Sequence, residues 1–419
     1  MATRALTIDG ARSTERIDRD IETLAGPRYT RSEEAIRRYA YTPEYRATLD
    51  YFVGELETLG FEISYDPVGT LVARNRPTGE PAFGVGSHCD SNRNGGKYDG
   101  TMGVVTALEV CRLNEELGLG LPLQLISFLE EEGSGFGQML LGSRITAQRV
   151  TEEELREEFR AIDDGRSFWE HAEEAGYEPA RWQESRRILD DLTGWVELHI
   201  EQARVLQDTG NRIGIVNAIA GYIHADVWVE GRADHAGATP MDFRLDVAPA
   251  AAEIVLEVER LAREAGGGTV GTVGEIAFEP GIINVVPGKA RLSLDTRGVI
   301  PEGFRAVARG VESFAQEAAA RNGLTATYRQ RQTLPVTHMD ERIVGALEAA
   351  AKATGEPFMV MPSGAAHDTM FVAGHAPVGM VFVPCRDGIS HSPLEDADPA
   401  DAALAAEAIL NAIIDLRPA

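Results

Sequence analysis

Apolar positions alternate between two periods along this chain, and the order of those periods predicts the architecture. Residues 42–60 (TPEYRATLDYFVGELETLG) carry a helical period that stops at Gly60. FEISYD and TLVARN then read as a hairpin pair, and AFGVGSH as a short buried strand running into His88. GVVTALEVCRLNEEL is a helix, and LQLISFL is a buried strand that ends at three glutamates. Residues near 151–190 are charged and read as helical; WVELHIE is another strand. From Val216 to Arg329 the pattern becomes β-α-β-β-α-β: YIHADVWVEGRA, a long helix from Asp246, VGTVGEIAFEP, ARLSLDTRG, a helix from Pro301, and LTATYRQR. Afterwards the chain returns to helix (340–355), strand (377–385) and a closing helix (400–416).

These periods predict an α/β protein: a catalytic domain with a central mixed sheet flanked by helices, plus an inserted ferredoxin-like domain. The expected boundaries are 1–215 and 330–419 for the discontinuous domain and 216–329 for the insert. A chain of 419 residues exceeds one ordinary core, which agrees with two domains.

Composition narrows the function classes. A net charge of -26 argues against nucleic acid and anionic membrane surfaces as partners. No uninterrupted apolar run is long enough to span a bilayer, and the N-terminal stretch lacks the apolar segment of a secretory signal. Three cysteines, Cys89, Cys111 and Cys385, give no disulfide framework and fit a reducing cytoplasm.

The chemistry-bearing residues fall at predicted strand ends, where open α/β sheets place their sites. His88 and Asp90 are one residue apart, so His88 can bind a metal while Asp90 orients its other ring nitrogen. Asp99 lies in GGKYDG, where glycines let a carboxylate approach closely, and a carboxylate can bridge two cations. Glu130, Glu131 and Glu132 crowd three carboxylates after a buried strand; a metal would relieve their repulsion, with one as ligand and a neighbour as proton shuttle. His199 in VELHIEQ and His391 in GISHSP add two imidazoles, and His with carboxylates is the donor set that zinc and its relatives favour. His235 in ADHAGATP suits a group aimed at a ligand, and His367 in SGAAHD is similar. Arg297 in LDTRG is either a surface ion pair or a bidentate clamp on a substrate carboxylate. No P-loop lysine, GxSxG elbow or recognisable cysteine nucleophile is present.

Taken in order, GSHCDSNRNGGKYDG, EEEGSGFGQMLLGSR, ELHIEQ, DHAGATPM, NVVPG, SLDTRG, PSGAAHD and FVPCRDGISHSP resemble the di-zinc aminoacylase and carboxypeptidase superfamily. More narrowly, ELHIEQ with GISHSP resembles its amidase branch of N-carbamoyl-L-amino-acid hydrolases, β-ureidopropionases and allantoate amidohydrolases. The resemblance implies two divalent metal ions, zinc or else manganese, cobalt or nickel. By motif position, His88, Asp99, Glu132, His199 and His391 would be the ligands, with Asp99 bridging and Glu131 the general base. It further implies that His235 stabilises the oxyanion, that Asn284 and Arg297 hold the substrate carboxylate, and that these three act across a homodimer formed by the inserted lid. Gln202 and His367 would be further substrate contacts. The expected reaction is hydrolysis of a linear amide or ureido bond, an N-carbamoyl-L-amino acid leading over allantoate or an N-acyl amino acid. An inactive scaffold is disfavoured because every ligand position is filled. Gly135, Ala203 and Ala366 depart from the branch's usual motifs.

Overall fold

Four parallel strands form the centre of the larger unit in the computed structural model, which describes residues 6–417. In spatial order they are Leu123–Phe128, Ala82–His88, Leu192–Ile200 and Val378–Val383. Three of them are buried at every position, and Leu192–Ile200 at all but Thr193. That is the pattern of strands covered on both faces. Antiparallel strands extend the sheet, Leu71–Arg74 and Glu62–Tyr65 beyond one edge and Ile213–Ile219 beyond the other. Because the four central strands run the same way, their carboxyl ends deliver His88, the Glu130–Glu132 run, His199 and the loop after Val383 to one edge of the sheet.

The helix Thr101–Glu116 covers this sheet and is buried from Thr101 to Asn114. Helices Gly10–Leu24 and Pro399–Asp415 pack on it in turn. The first of these has a narrow apolar face, Ile17, Ile21 and Leu24 at helical spacing among many polar residues. A buried charge pair and a buried hydrogen bond help dock it. Arg112 reaches Asp20 at 2.6 Å, and the Ser13 hydroxyl donates to Glu109 at 2.6 Å. Such groups are tolerated inside because each charge has a partner. Segment 151–190 is less regular than expected, broken into four short helical pieces.

The smaller unit is Ala218–His338, and the larger comprises the chain up to Asn217 and from Met339 onward. The insert therefore continues past the expected boundary at 329. Its last strand runs Thr325–Leu334 and keeps pairing with Tyr222, Ile223 and His224 beyond a bulge at Gln330/Gln332. The polar sequence QRQT hides this extension, because hydrogen bonds rather than buried side chains hold it. The sheet order is Ile276–Glu279, Lys289–Gly298, Gly221–Glu230, Thr325–Leu334, all antiparallel. VGTVGEIAFEP is two short strands, Val270–Thr272 and Ile276–Glu279, lying along the same edge of Lys289–Gly298. Helices Val247–Ala265 and Pro301–Arg321 cover one face, burying Val227, Val229, Ile254, Leu292 and Val311 together. This is the split βαβ arrangement. Along Lys289–Gly298 every second residue is buried, as one covered face requires.

Candidate metal centre and active site

Two groups of potential ligands meet at the sheet edge: His88, Asp99 and His199, and Asp99, Glu132 and His391. Within each, the ligand atoms lie within 4.8 Å of one another, and Asp99 belongs to both. Its Oδ1 is 3.6 Å from His88 Nε2 and 3.3 Å from His199 Nε2, while Oδ2 is 3.5 Å from His391 Nε2. Glu132 Oε2 is 3.3 Å from His391 Nε2, and Glu131 Oε2 is 3.5 Å from His88 Nε2. All are buried except His391.

The ring orientations fit a cation. His88 Nδ1 lies 3.3 Å from the Asp90 carbonyl and 3.4 Å from its carboxylate, and His199 Nδ1 lies 3.0 Å from the Ile200 carbonyl. Oxygen acceptors at Nδ1 fix the proton there, which leaves each Nε2 as a lone pair. Those two Nε2 atoms are 3.4 Å apart and face the same oxygen of Asp99. Lone pairs so placed repel unless a positive charge sits among them. The carboxylates give the same indication. Burial pushes Glu131 well above its usual range, His88 opposes the rise and Glu132 adds to it. Burial and Asp99 push Glu132 up likewise. Burial would also raise Asp99, but His199, His88 and His391 hold it below its usual range. A divalent ion would be held by His88, Asp99 and His199, and a second by Asp99, Glu132 and His391.

Neighbouring residues fix these side chains. Gly100 has φ +61° and starts the helix that follows Asp99; a Cβ there would lie 2.2 Å from His88 Cε1, so only glycine leaves room for the ring. Asp90 accepts from the backbone N–H groups of Glu131 and Glu132, both at 3.1 Å, and so holds both glutamates as well as facing His88. Glu130 turns away: its Oε1 accepts from Gly135 N at 2.6 Å and Phe136 N at 2.8 Å. A Cβ at Gly135 would come 2.8 Å from Glu130 Oε2, so this departure from the usual motif makes space for the first glutamate. Glu130, Gln202 and His391 all carry positive φ, near +53°, +58° and +52°, which concentrates strained backbone at this edge.

Gln202 donates to Asp99 Oδ2 at 2.7 Å, so its side chain orients the shared carboxylate. His367 is buried with its ring 4.8 Å from that of His199, and its Nε2 lies 2.9 Å from the Ser363 hydroxyl. Several neighbours of the site are not apparent from the sequence. Ser390 Oγ donates to Asp99 Oδ2 at 2.7 Å, and Glu395 Oε1 accepts from the backbone N–H of Tyr98 at 2.8 Å and of Asp99 at 2.9 Å. Asn92 N donates to Glu132 Oε1 at 3.1 Å. Asp368 is fully buried, its pKa pushed up to about 8 by burial and by Glu197. Glu395 sits in LEDAD, which reads as a solvated acidic loop; its place four residues after His391 was the available signal.

The remaining predicted residues lie in the smaller unit. His235 is exposed on a two-residue strand paired with Val285–Val286, and the Asn284 carbonyl accepts from Ala236 N at 3.0 Å. His235 Nδ1 accepts from Gly237 N and Ala238 N, both at 3.1 Å, so the neutral ring carries its proton on Nε2. Arg297 is bonded to Asp295 at 2.7 Å and lies over the Tyr222 ring at 5.3 Å. Burial would raise Asp295, but His224 and Arg297 hold it at about 2.

Comparison with known proteins identifies the family. A family model described as Peptidase family M20/M25/M40 matches residues 84–415. An N-carbamoyl-L-amino-acid amidohydrolase of Paenarthrobacter aurescens is 37% identical over 400 residues, covering 94% of this chain and 96% of that protein. A ureidoglycolate hydrolase of Oryza sativa subsp. japonica is 36% identical over 379 residues, covering 88% of this chain and 78% of that one. Among solved structures, an amidase of the hydantoinase/carbamoylase family from Burkholderia multivorans superposes with a TM-score of 0.85 at 29% identity, over 97% of this chain and 98% of that one.

Proposed function

The chain belongs to peptidase family M20/M25/M40, and from that premise we propose that it hydrolyses N-carbamoyl-L-amino acids to amino acid, carbon dioxide and ammonia. It is a metal-dependent hydrolase of C–N bonds in linear amides. The observation that carries the reading is Asp99 shared between two ligand groups with Glu131 beside them. Two divalent ions, zinc or else manganese, cobalt or nickel, would supply Lewis acidity and acidify water there.

The chain's own residues do the proton work. Glu131, buried and raised in pKa, takes the proton of the attacking water on its carboxylate and returns it to the leaving nitrogen. His235, with its proton on Nε2, donates to the developing oxyanion. Asn284 and Arg297 hold the substrate carboxylate, Arg297 by its planar fork. Gln202 and His367 line the substrate side of the ligands. The smaller unit acts as lid and dimerisation domain, and His235, Asn284 and Arg297 serve the partner's site. Exposed Met241, Phe243, Ile276, Phe278, Ile282 and Ile283, all in that unit, support a second copy as its partner. Among the described residues no helix is long and apolar enough to cross a membrane. The net charge of -26 and the three free buried cysteines support a cytoplasmic enzyme that binds neither anionic membrane nor nucleic acid.

Ammonia release measured over N-carbamoyl amino acids, allantoate, ureidoglycolate and N-acyl amino acids, with chelator and metal controls, tests the substrate. Higher kcat/KM for the N-acyl compounds would refute the carbamoyl assignment. Glu131→Gln should keep its metal and lose nearly all turnover; normal turnover would remove Glu131 from the mechanism.

A further inference from the structure

We infer that Arg38 is a positioning residue for the metal centre, fixing the separation of the two backbone segments that carry His88 and Asp99. The inference rests on the metal-dependent reading above.

Arg38 is 1% exposed. The other buried arginines each face a carboxylate: Arg74 has Asp191 at 3.2 Å, and Arg112 has Asp20 at 2.6 Å. Arg38 has no carboxylate at ion-pair distance among the described residues, and its donors go to neutral oxygens. Nε donates to the Cys89 carbonyl at 2.6 Å, and Nη2 to the Thr101 hydroxyl at 2.8 Å. Nη1 donates to the Leu24 carbonyl at 3.0 Å and the Thr48 hydroxyl at 3.1 Å.

Two of these contacts matter for the site. Cys89 stands between His88 and Asp90, and Thr101 opens the helix immediately after Asp99 and Gly100. One rigid guanidinium plane therefore spans both ligand-bearing segments. The backbone adds a second tie: Arg38 N donates to Ser91 Oγ at 3.0 Å, and Ser91 N donates to the Arg38 carbonyl at 2.9 Å. Ser91 Oγ also donates to the Ile36 carbonyl at 3.0 Å. A buried cation without a counter-ion is costly. Asp90, on the segment that Arg38 braces, is the nearby carboxylate whose charge acts on it. Lysine cannot replace Arg38, since one ammonium nitrogen cannot reach acceptors on separate sides of a plane.

Charge and positioning predict opposite signs. A cation acting only by charge repels a divalent ion, so its removal would tighten metal binding. A brace between ligand segments makes the site fit, so its removal weakens binding. Zinc affinity of the full-length metal-free protein, measured by competition with a chromophoric chelator, separates the two. Arg38→Met and Arg38→Lys should each bind zinc about tenfold more weakly or worse. At saturating zinc, kcat should fall while KM stays near the wild-type value. Thr101→Val, which removes one acceptor without touching the charge, should shift zinc affinity in the same direction by less. A folded Arg38 variant with unchanged or tighter zinc binding overturns the inference. If neither Arg38 variant folds, unchanged zinc affinity in Thr101→Val overturns it. Wild-type protein that binds no divalent ion would instead sink the metal reading, and this inference with it.

Discussion

Replacing Gly100 by alanine should damage the site by displacing one imidazole. The added Cβ would lie 2.2 Å from His88 Cε1 and 2.4 Å from both ring nitrogens, where ordinary contact begins at 3.4 Å. The ring must retreat by about 1.2 Å, or the Asp99–Thr101 backbone must. His88 cannot retreat easily, being fully enclosed with Asp90 behind its Nδ1. A misplacement of about 1 Å costs about 100-fold in rate, equivalent to ~2.7 kcal/mol of transition-state stabilisation. The positive φ adds about 1–2 kcal/mol of backbone strain to the alanine variant. Gly118, at the other end of the same helix, separates these effects. It has φ +60° and open space, with nothing within 4 Å of where a Cβ would stand, so Gly118→Ala carries the strain without the collision. Both variants should melt at lower temperature, but only Gly100→Ala should lose kcat/KM by about 100-fold and bind zinc more weakly. Wild-type kcat/KM and zinc affinity in Gly100→Ala would refute the reasoning, as would an equal activity loss in Gly118→Ala.

Other expectations follow from the same site. Stripping divalent ions with a chelator should abolish ammonia release and lower the melting temperature, since ligand at about 1,000 times its Kd stabilises by about 4 kcal/mol. Re-addition of metal should restore both; full activity in metal-free protein would exclude the assignment. Asp368 makes metal-free stability depend on pH. Its pKa rises from an ordinary 3.8 to about 8 in the fold, so its stabilising contribution is complete below pH 3.8 and lost as pH climbs towards 8. The loss approaches about 1.4 kcal/mol per pH unit. Asp368→Asn stays neutral throughout, so its melting temperature should fall less over that interval; identical slopes would show that Asp368 is not buried as a neutral acid.

Much of the site was legible because its residues carry chemistry that few other roles require. The histidines, Asp99 and the run of glutamates could be picked out from residue type and their place at strand ends and in the loops after them, the family resemblance singled out Glu132, and all five converge. The central strands were legible too, since burial on both faces demands uninterrupted apolar runs such as LQLISFL. The helix Gly10–Leu24 is marked only by Ile17, Ile21 and Leu24 at helical spacing, a narrow stripe that does not by itself tell a packed helix from a solvated one. Glu395 and Ser390 were hidden. Their contacts to Asp99 cross nearly 300 positions, 296 for the Glu395 bond and 291 for the Ser390 bond, and no local pattern reports such a pairing.

The sequence by itself determined the element order and the ligand inventory, because each depends on local periodicity or residue chemistry. Tertiary structure alone decided how distant segments bring the ligands together, which glutamate turns away, and what braces the ligand segments. Asp99 is shared because parallel strands from distant parts of the chain end at one edge. Glu130 turns from the site because the backbone N–H groups of Gly135 and Phe136 hold its carboxylate. Arg38 reads as an ordinary surface arginine in IRRYA, and only the packed fold encloses it between Cys89 and Thr101.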